Sequence, residues 1–158
     1  MQERRGFRLL GIDHIVLRVR DVQRMLRFYI DVLGGTLDRI QDDIGLYQVR
    51  AGQSLIDLVP VDSPAGRGGG AAPGDQGHNV DHFCLRVEPF DGPAIVAYLE
   101  AQGVEVGAPK NRYGADGTGP SVYLRDPEGN RVELKGPPVA GNESVIGARG
   151  DAPARAEA

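Results

Sequence analysis

At 158 residues the chain has room for one domain, or for two very small ones sharing a core. Charged residues make up 25% and hydrophobic ones 41%, as in an ordinary soluble globular protein. The formal charge of −4 speaks against a nucleic-acid partner, which would need a basic face, and no run approaches the roughly 20 apolar residues that span a bilayer. The first residues, Met1-Gln2-Glu3-Arg4-Arg5-Gly6-Phe7, carry no apolar stretch of signal-peptide length. A single cysteine, Cys84, leaves no internal disulfide and suits a reducing compartment. The cytoplasm is the expected location.

Taken in chain order, the first predicted element is a strand, Asp13-His14-Ile15-Val16-Leu17-Arg18-Val19, alternating and rich in β-branched residues. Asp21 then caps a predicted helix with Val22, Met25, Leu26, Tyr29, Val32 and Leu33 on one face and Gly34-Gly35 as its stop. Tyr47 to Leu58 reads as strand, turn, strand. Residues 62–79 are rich in Gly, Pro and Ala without apolar periodicity, and read as a flexible connector. The pattern then starts again. Asp81-His82-Phe83-Cys84-Leu85-Arg86-Val87 matches the first strand at five of seven places. Asp91 and Pro93 open a second helix with Ile95, Val96 and Leu99 inward, ended by Gly103. Tyr123 to Leu134 repeats strand, turn, strand at the same length, with Asp126-Pro127-Glu128-Gly129 suited to a type I turn. The expected organisation is therefore a first βαβββ module over 8–61, the connector over 62–79, a second module over 80–136 and a disordered tail over 137–158.

The repeat pairs His14 with His82. It also pairs Asp57 with Glu133, each ten residues beyond its tyrosine. Because side chains in a strand alternate with period two, Ile15, Leu17 and Val19 form one apolar face and leave His14, Val16 and Arg18 on the other. Phe83, Leu85 and Val87 likewise leave His82, Cys84 and Arg86 opposite. If the halves close about a pseudo-twofold axis, those faces line one cavity, and two imidazoles with one or two carboxylates there suit Zn, Ni, Mn or Fe. A lone histidine at a strand start is ordinarily a surface residue; two at equivalent positions, with equivalent carboxylates, turn the reading towards a metal. For Asp57 the ligand and bystander readings stand level, since Asp is shorter than Glu. Cys84 reads as a small lining residue and His78, in the connector, as solvated. Arg18 and Arg86 face the expected cavity, as binders of an anionic substrate or as residues at a strand's wet end.

These residues resemble the vicinal oxygen chelate superfamily, which holds glyoxalase I, fosfomycin-modifying enzymes, extradiol dioxygenases and bleomycin-resistance proteins. The motifs that carry the resemblance are DHIVLRV followed by DVQRMLRFYIDVLGG, then DHFCLRV, then VYLRDPEGNRVEL, covering roughly residues 10–136. The resemblance implies an α+β fold of paired βαβββ modules forming a cupped mixed sheet around one divalent metal ion. It places metal ligands at His14, His82 and Glu133, with Asp57 at a fourth position that varies across the family. The family's metal chelates two adjacent substrate oxygens. The first half is most similar to bacterial glyoxalase I, where the counterpart of Arg18 contacts glutathione; the chain is accordingly expected to be a lyase or isomerase, with Glu133 as catalytic base and glutathione or another thiol as co-substrate. Val61 and the Gly-rich connector depart from that branch. The stretches Lys110-Asn111-Arg112 and Ser121-Val122-Tyr123 are similar to the fosfomycin-modifying branch and mark Arg112 and Tyr123 as substrate contacts, although Val16 replaces a threonine used there. An extradiol dioxygenase would use Fe with the same triad, and the additional acid–base histidine usual in that branch has no good counterpart here. The alternative class is a drug-binding protein without chemistry, as in the bleomycin-resistance branch. The expected partners are a small-molecule substrate and a second copy of the chain, with no nucleic acid or membrane.

Overall fold

The computed structural model describes residues 10–144; residues 1–9 and 145–158, including most of the expected tail, lie outside the described residues. The chain divides into two compact units, Met1–Pro73 and Gly74–Ala158. Each holds one four-stranded mixed sheet and a short helix, so the fold is α+β with the same element order twice. No helix among the described residues is long and apolar enough to cross a membrane.

In the first unit β1 (His14–Val19) runs parallel to β4 (Ser54–Pro60). β3 (Leu46–Ala51) lies antiparallel to both β4 and β2 (Thr36–Gln41), giving the order β1-β4-β3-β2. The alternation works as the residue types demand: Leu17, Val19, Val49, Ile56 and Leu58 are buried on one face, while His14 and Val16 stay exposed on the other. Helix α1 (Val22–Arg27) starts where Asp21 accepts a hydrogen bond from the Arg24 N–H at 2.9 Å. The expected continuous helix to Leu33 gives way at Phe28. There the chain widens into a π turn over Phe28–Val32, closed by the Leu33 N–H donating to the Phe28 carbonyl at 3.0 Å. That widening lets consecutive residues, Phe28 and Tyr29, both enter the core, with ring centroids 5.1 Å apart and planes at 89°. Gly34 then takes φ +80°, which reverses the chain.

The second unit repeats the plan. β5 (Phe83–Arg86) is parallel to β8 (Arg131–Lys135), and β7 (Gly117–Arg125) is antiparallel to β8 and to β6 (Lys110–Gly114). Helix α2 (Gly92–Ala101) is capped by Asp91, which accepts from the Ala94 N–H at 3.1 Å, and Gly103 ends it at φ +74°. Val122, Leu124, Val132, Leu134 and Leu99 are buried in its core. The β7–β8 turn is built on Asp126. Its carbonyl accepts from Gly129 at 3.0 Å, and its carboxylate accepts from Glu128 N (3.0 Å), Asn130 N (2.9 Å) and Asn130 Nδ2 (2.8 Å). Beyond β8, Val139 and Ser144 donate backbone hydrogen bonds to Thr118 and Asp116.

Between β4 and β5 the Gly-rich stretch carries a 3-10 turn at Arg67–Gly69 and a bridge between Gly74 and Gly77. Arg18 holds the first part, donating to the carbonyls of Gly69 (2.7 Å), Gly70 (2.9 Å) and Ala71 (3.0 Å). A side chain at Gly69 would collide with that guanidinium, so glycine there is what admits the contact.

Candidate functional site

The parallel registers put a histidine and a carboxylate on one face in each unit. Val16 pairs with Asp57 and Cys84 with Glu133, so each acid lies level with the residue two places after its histidine. Paired strand positions share a face, as do residues two apart, which brings His14 to the face of Asp57 and His82 to the face of Glu133. His14 opens β1, and His82 stands immediately before β5.

Both rings meet the aspartate that precedes them through Nδ1. His14 Nδ1 lies 2.7 Å from Asp13 Oδ1, and His82 Nδ1 lies 2.6 Å from Asp81 Oδ1. A carboxylate can only accept, so Nδ1 carries the proton and the Nε2 lone pair is left for another partner. This is the support that metal-ligating histidines ordinarily have. The hydrogen bond to Asp13, together with the charge of Asp57, raises the His14 pKa above the ordinary histidine value. On Asp81 the hydrogen bonds from His82 and Arg131 hold the carboxyl below the ordinary carboxylate range.

In the second unit His82 Nε2 and Glu133 Oε2 are 3.5 Å apart. Two ligands each about 2 Å from one tetrahedral ion lie roughly 3.3 Å apart, so the pair fits a metal without rearrangement. In the first unit Asp57 is buried, and Gln48 Nε2 donates to both of its oxygens at 3.1 and 3.3 Å. Each unit thus carries one histidine and one carboxylate on one face of its own sheet. No group of three His, Cys, Asp or Glu side chains placed to hold a metal occurs among the described residues.

Tyr123 pairs with Glu133 across the β7–β8 ladder and meets the His82 ring edge-on, centroids 5.3 Å apart and planes at 90°. Burial raises its pKa, and the charge of Glu133 adds to that. The guanidinium of Arg112 lies over the Tyr123 ring, 4.4 Å from its centroid, and donates through Nη1 to Ser121 Oγ at 2.8 Å and to the Ser121 carbonyl at 3.1 Å. Lys135 Nζ donates to the Arg112 backbone carbonyl at 2.6 Å. Of the arginines singled out from sequence, Arg112 therefore adjoins the histidine–carboxylate pair of its unit. Arg18 is bound to the Gly69–Ala71 carbonyls, and Arg86 forms an ion pair with Asp116 at 2.6 Å. Sequence reasoning passed over Asp13, Asp81, Gln48 and Arg131. The first two carried a signal, since an aspartate precedes each histidine of the repeat.

Cys84 reaches solvent as a residue, yet burial around its thiol, and then the charge of Glu133, push its pKa up to about 11. Relative to the unperturbed value of 9.0, that leaves about 100-fold less thiolate at neutral pH. In metal-free protein, Cys84 is expected to react with a disulfide reagent about 10-fold more slowly than a free thiol, because the higher nucleophilicity of a more basic thiolate offsets part of the lost thiolate fraction; reaction at the free-thiol rate would contradict this environment.

Comparison with known proteins decides the family. The model of the glyoxalase/bleomycin resistance protein/dioxygenase superfamily matches residues 11–134. The chain belongs to this superfamily. A curated relative, virulence protein STM3117 of Salmonella typhimurium, is 29% identical over 129 residues, covering 78% of this chain and 81% of that protein. The crystal structure of that superfamily relative superposes with a TM-score of 0.69 at 26% identity, covering 83% of this chain and 99% of that one. An integron cassette protein from the mobile metagenome of V. Cholerae superposes at 0.65 with 27% identity, over 82% and 97% of the two chains. TnmS3, an antibiotic binding protein from Streptomyces sp. CB03234, shares the superfamily fold at a TM-score of 0.61 and 24% identity, over 84% and 99%.

Proposed function

We propose that the chain is a divalent-metal enzyme of the glyoxalase-like type, a lyase or isomerase acting on a small substrate with two adjacent oxygens. One observation carries this reading: the histidine–carboxylate pair occurs twice, and both histidines commit Nδ1 to a preceding aspartate and leave Nε2 available. His14 and His82 would hold the metal through Nε2 together with Glu133, with Asp57 as a fourth ligand. When bound, the ion supplies Lewis-acid polarisation of the two substrate oxygens. Glu133, with its side chain only 8% exposed, takes a proton from the substrate carbon as general base and returns it to the neighbouring carbon. Tyr123, paired with Glu133, and Arg112, over the Tyr123 ring, orient the substrate. Arg18 acts indirectly, by ordering the Gly69–Ala71 loop on the unit that carries His14 and Asp57.

The test is elemental analysis of protein purified without chelators or a histidine tag. About one equivalent of Ni, Zn, Mn or Fe per chain is expected. Ni, Zn or Mn directs screening to glutathione hemithioacetals and to thiol addition to fosfomycin, and Fe to catechols. No uptake of any ion after reconstitution would overturn the reading in favour of a drug-binding protein without chemistry. Asp57→Ala is expected to weaken metal binding about 10-fold, a smaller loss than at a histidine, because Gln48 already satisfies both carboxylate oxygens. Unchanged affinity would leave three protein ligands. A cytoplasmic homodimer belongs to the same proposal, and sedimentation equilibrium measures its stoichiometry.

A further inference from the structure

The two histidines occupy equivalent places, but their supports differ. Asp13 has His14 as its one ion-pair partner among the described residues. Asp81 takes His82 Nδ1 and the guanidinium of Arg131 on the same oxygen, Oδ1. Arg131 also lies over the Tyr123 ring, 5.1 Å from its centroid, on a tyrosine that itself meets the His82 ring edge-on. One guanidinium therefore touches both groups that hold the His82 ring, the acceptor at Nδ1 and the aromatic neighbour. It keeps this place although Arg131 Nε is buried with no hydrogen-bond partner among the described residues, so the contacts to Asp81 and Tyr123 decide where it sits.

The register explains the asymmetry. Arg131 lies two residues before Glu133 on β8 and so projects from the same face, one step before the Phe83–Val132 pair and level with His82. In the first unit the strand position level with His14 is Leu55, which can neither bind a carboxylate nor stack as a cation.

We propose that Arg131 is a positioning residue: by bridging Asp81 and Tyr123 it locks His82 in one ring orientation, with Nδ1–H committed and Nε2 facing Glu133, whereas His14 has Asp13 as its one such support among the described residues. The role in orientation stands on the metal-free geometry; its consequence for metal binding rests on the function proposed above. The pair of effects can be separated.

The experiment records ring-nitrogen NMR correlations of metal-free wild type, Arg131→Leu and Arg131→Lys, at a pH above the histidine range where both rings are neutral. His82 of the wild type is expected to show the pattern of a single Nδ1–H tautomer. In Arg131→Leu that pattern is expected to move towards an average of both tautomers while the His14 signals stay in place. Arg131→Lys, which can still meet Asp81, is expected to restore much of it. Zinc affinity of Arg131→Leu is expected to fall about 10–100-fold, the range for loss of a supporting group. An unaltered His82 pattern in Arg131→Leu, or an equal change at His14, would overturn the proposal. Arg131→Gln carries the same test if the leucine variant does not fold. A wild type that binds no metal while His82 still responds to Arg131 would overturn the metal site and leave the positioning role standing.

Discussion

Replacing His82 with alanine is expected to lower affinity for a divalent ion by more than about 100-fold, beyond the upper range for loss of a supporting residue. The fold should survive, because His82 precedes β5, its side chain is 32% exposed and it takes no place among the buried apolar residues. Glu133→Gln is expected to give a comparable loss. It preserves shape on β8 but replaces a charged oxygen beside His82 with a neutral amide. Competition against a chromophoric zinc chelator measures the affinity, and circular dichroism with thermal unfolding checks the fold. Either variant retaining full affinity would remove that residue from the ligand set. If Glu133 also moves the proton, turnover of the glutamine variant stays depressed when metal is supplied in excess, whereas His82→Ala recovers in part.

The second large effect concerns the turn that holds Glu133 in register. Asp126→Ala is expected to destabilise the protein by about 3–4 kcal/mol, measured by urea unfolding. Asp126 is buried, and its carboxylate satisfies two backbone N–H groups and the side-chain amide of Asn130; alanine leaves all three donors without that acceptor. Asp126→Asn is expected to cost about 1–2 kcal/mol, because it keeps Oδ1 for the two backbone groups and sets one amide N–H₂ against another. The same turn fixes Leu124 opposite Val132 and Tyr123 opposite Glu133, so loosening it should also weaken metal binding. An alanine variant within 0.5 kcal/mol of wild type would mean that water replaces the carboxylate there, and that register is set by the core face of β7 and β8 instead.

Much of the candidate site's layout was legible because its signals are local or repeated. An aspartate–histidine pair opening an alternating strand, found twice, located His14 and His82, and the two hairpins placed Asp57 and Glu133 at matching distances from Tyr47 and Tyr123. The parallel registers bear out that positional match, with Val16 against Asp57 and Cys84 against Glu133. Arg18 shows where such reading stops. Its place on the polar face of β1 was visible, but its partners are carbonyls some fifty residues on, at Gly69, Gly70 and Ala71. A carbonyl carries no mark in the sequence of the cation that will find it. The π turn at Phe28 was hidden for a related reason: a helical period describes one apolar face, and here the core accepts two adjacent aromatic rings.

The sequence by itself determined the duplicated βαβββ order, the apolar face of each sheet and the matching histidine and carboxylate positions of the two halves. All of these follow from period-two alternation, capping and turn chemistry acting over a few residues, repeated strongly enough to be recognised. Only the tertiary structure decided what each polar group is bound to: Gln48 on Asp57, Arg18 on a glycine-rich loop, and Arg131 between Asp81 and Tyr123. Such choices depend on which strands become neighbours and in what register, and a one-residue shift in that pairing would exchange every partner while leaving the local pattern unchanged.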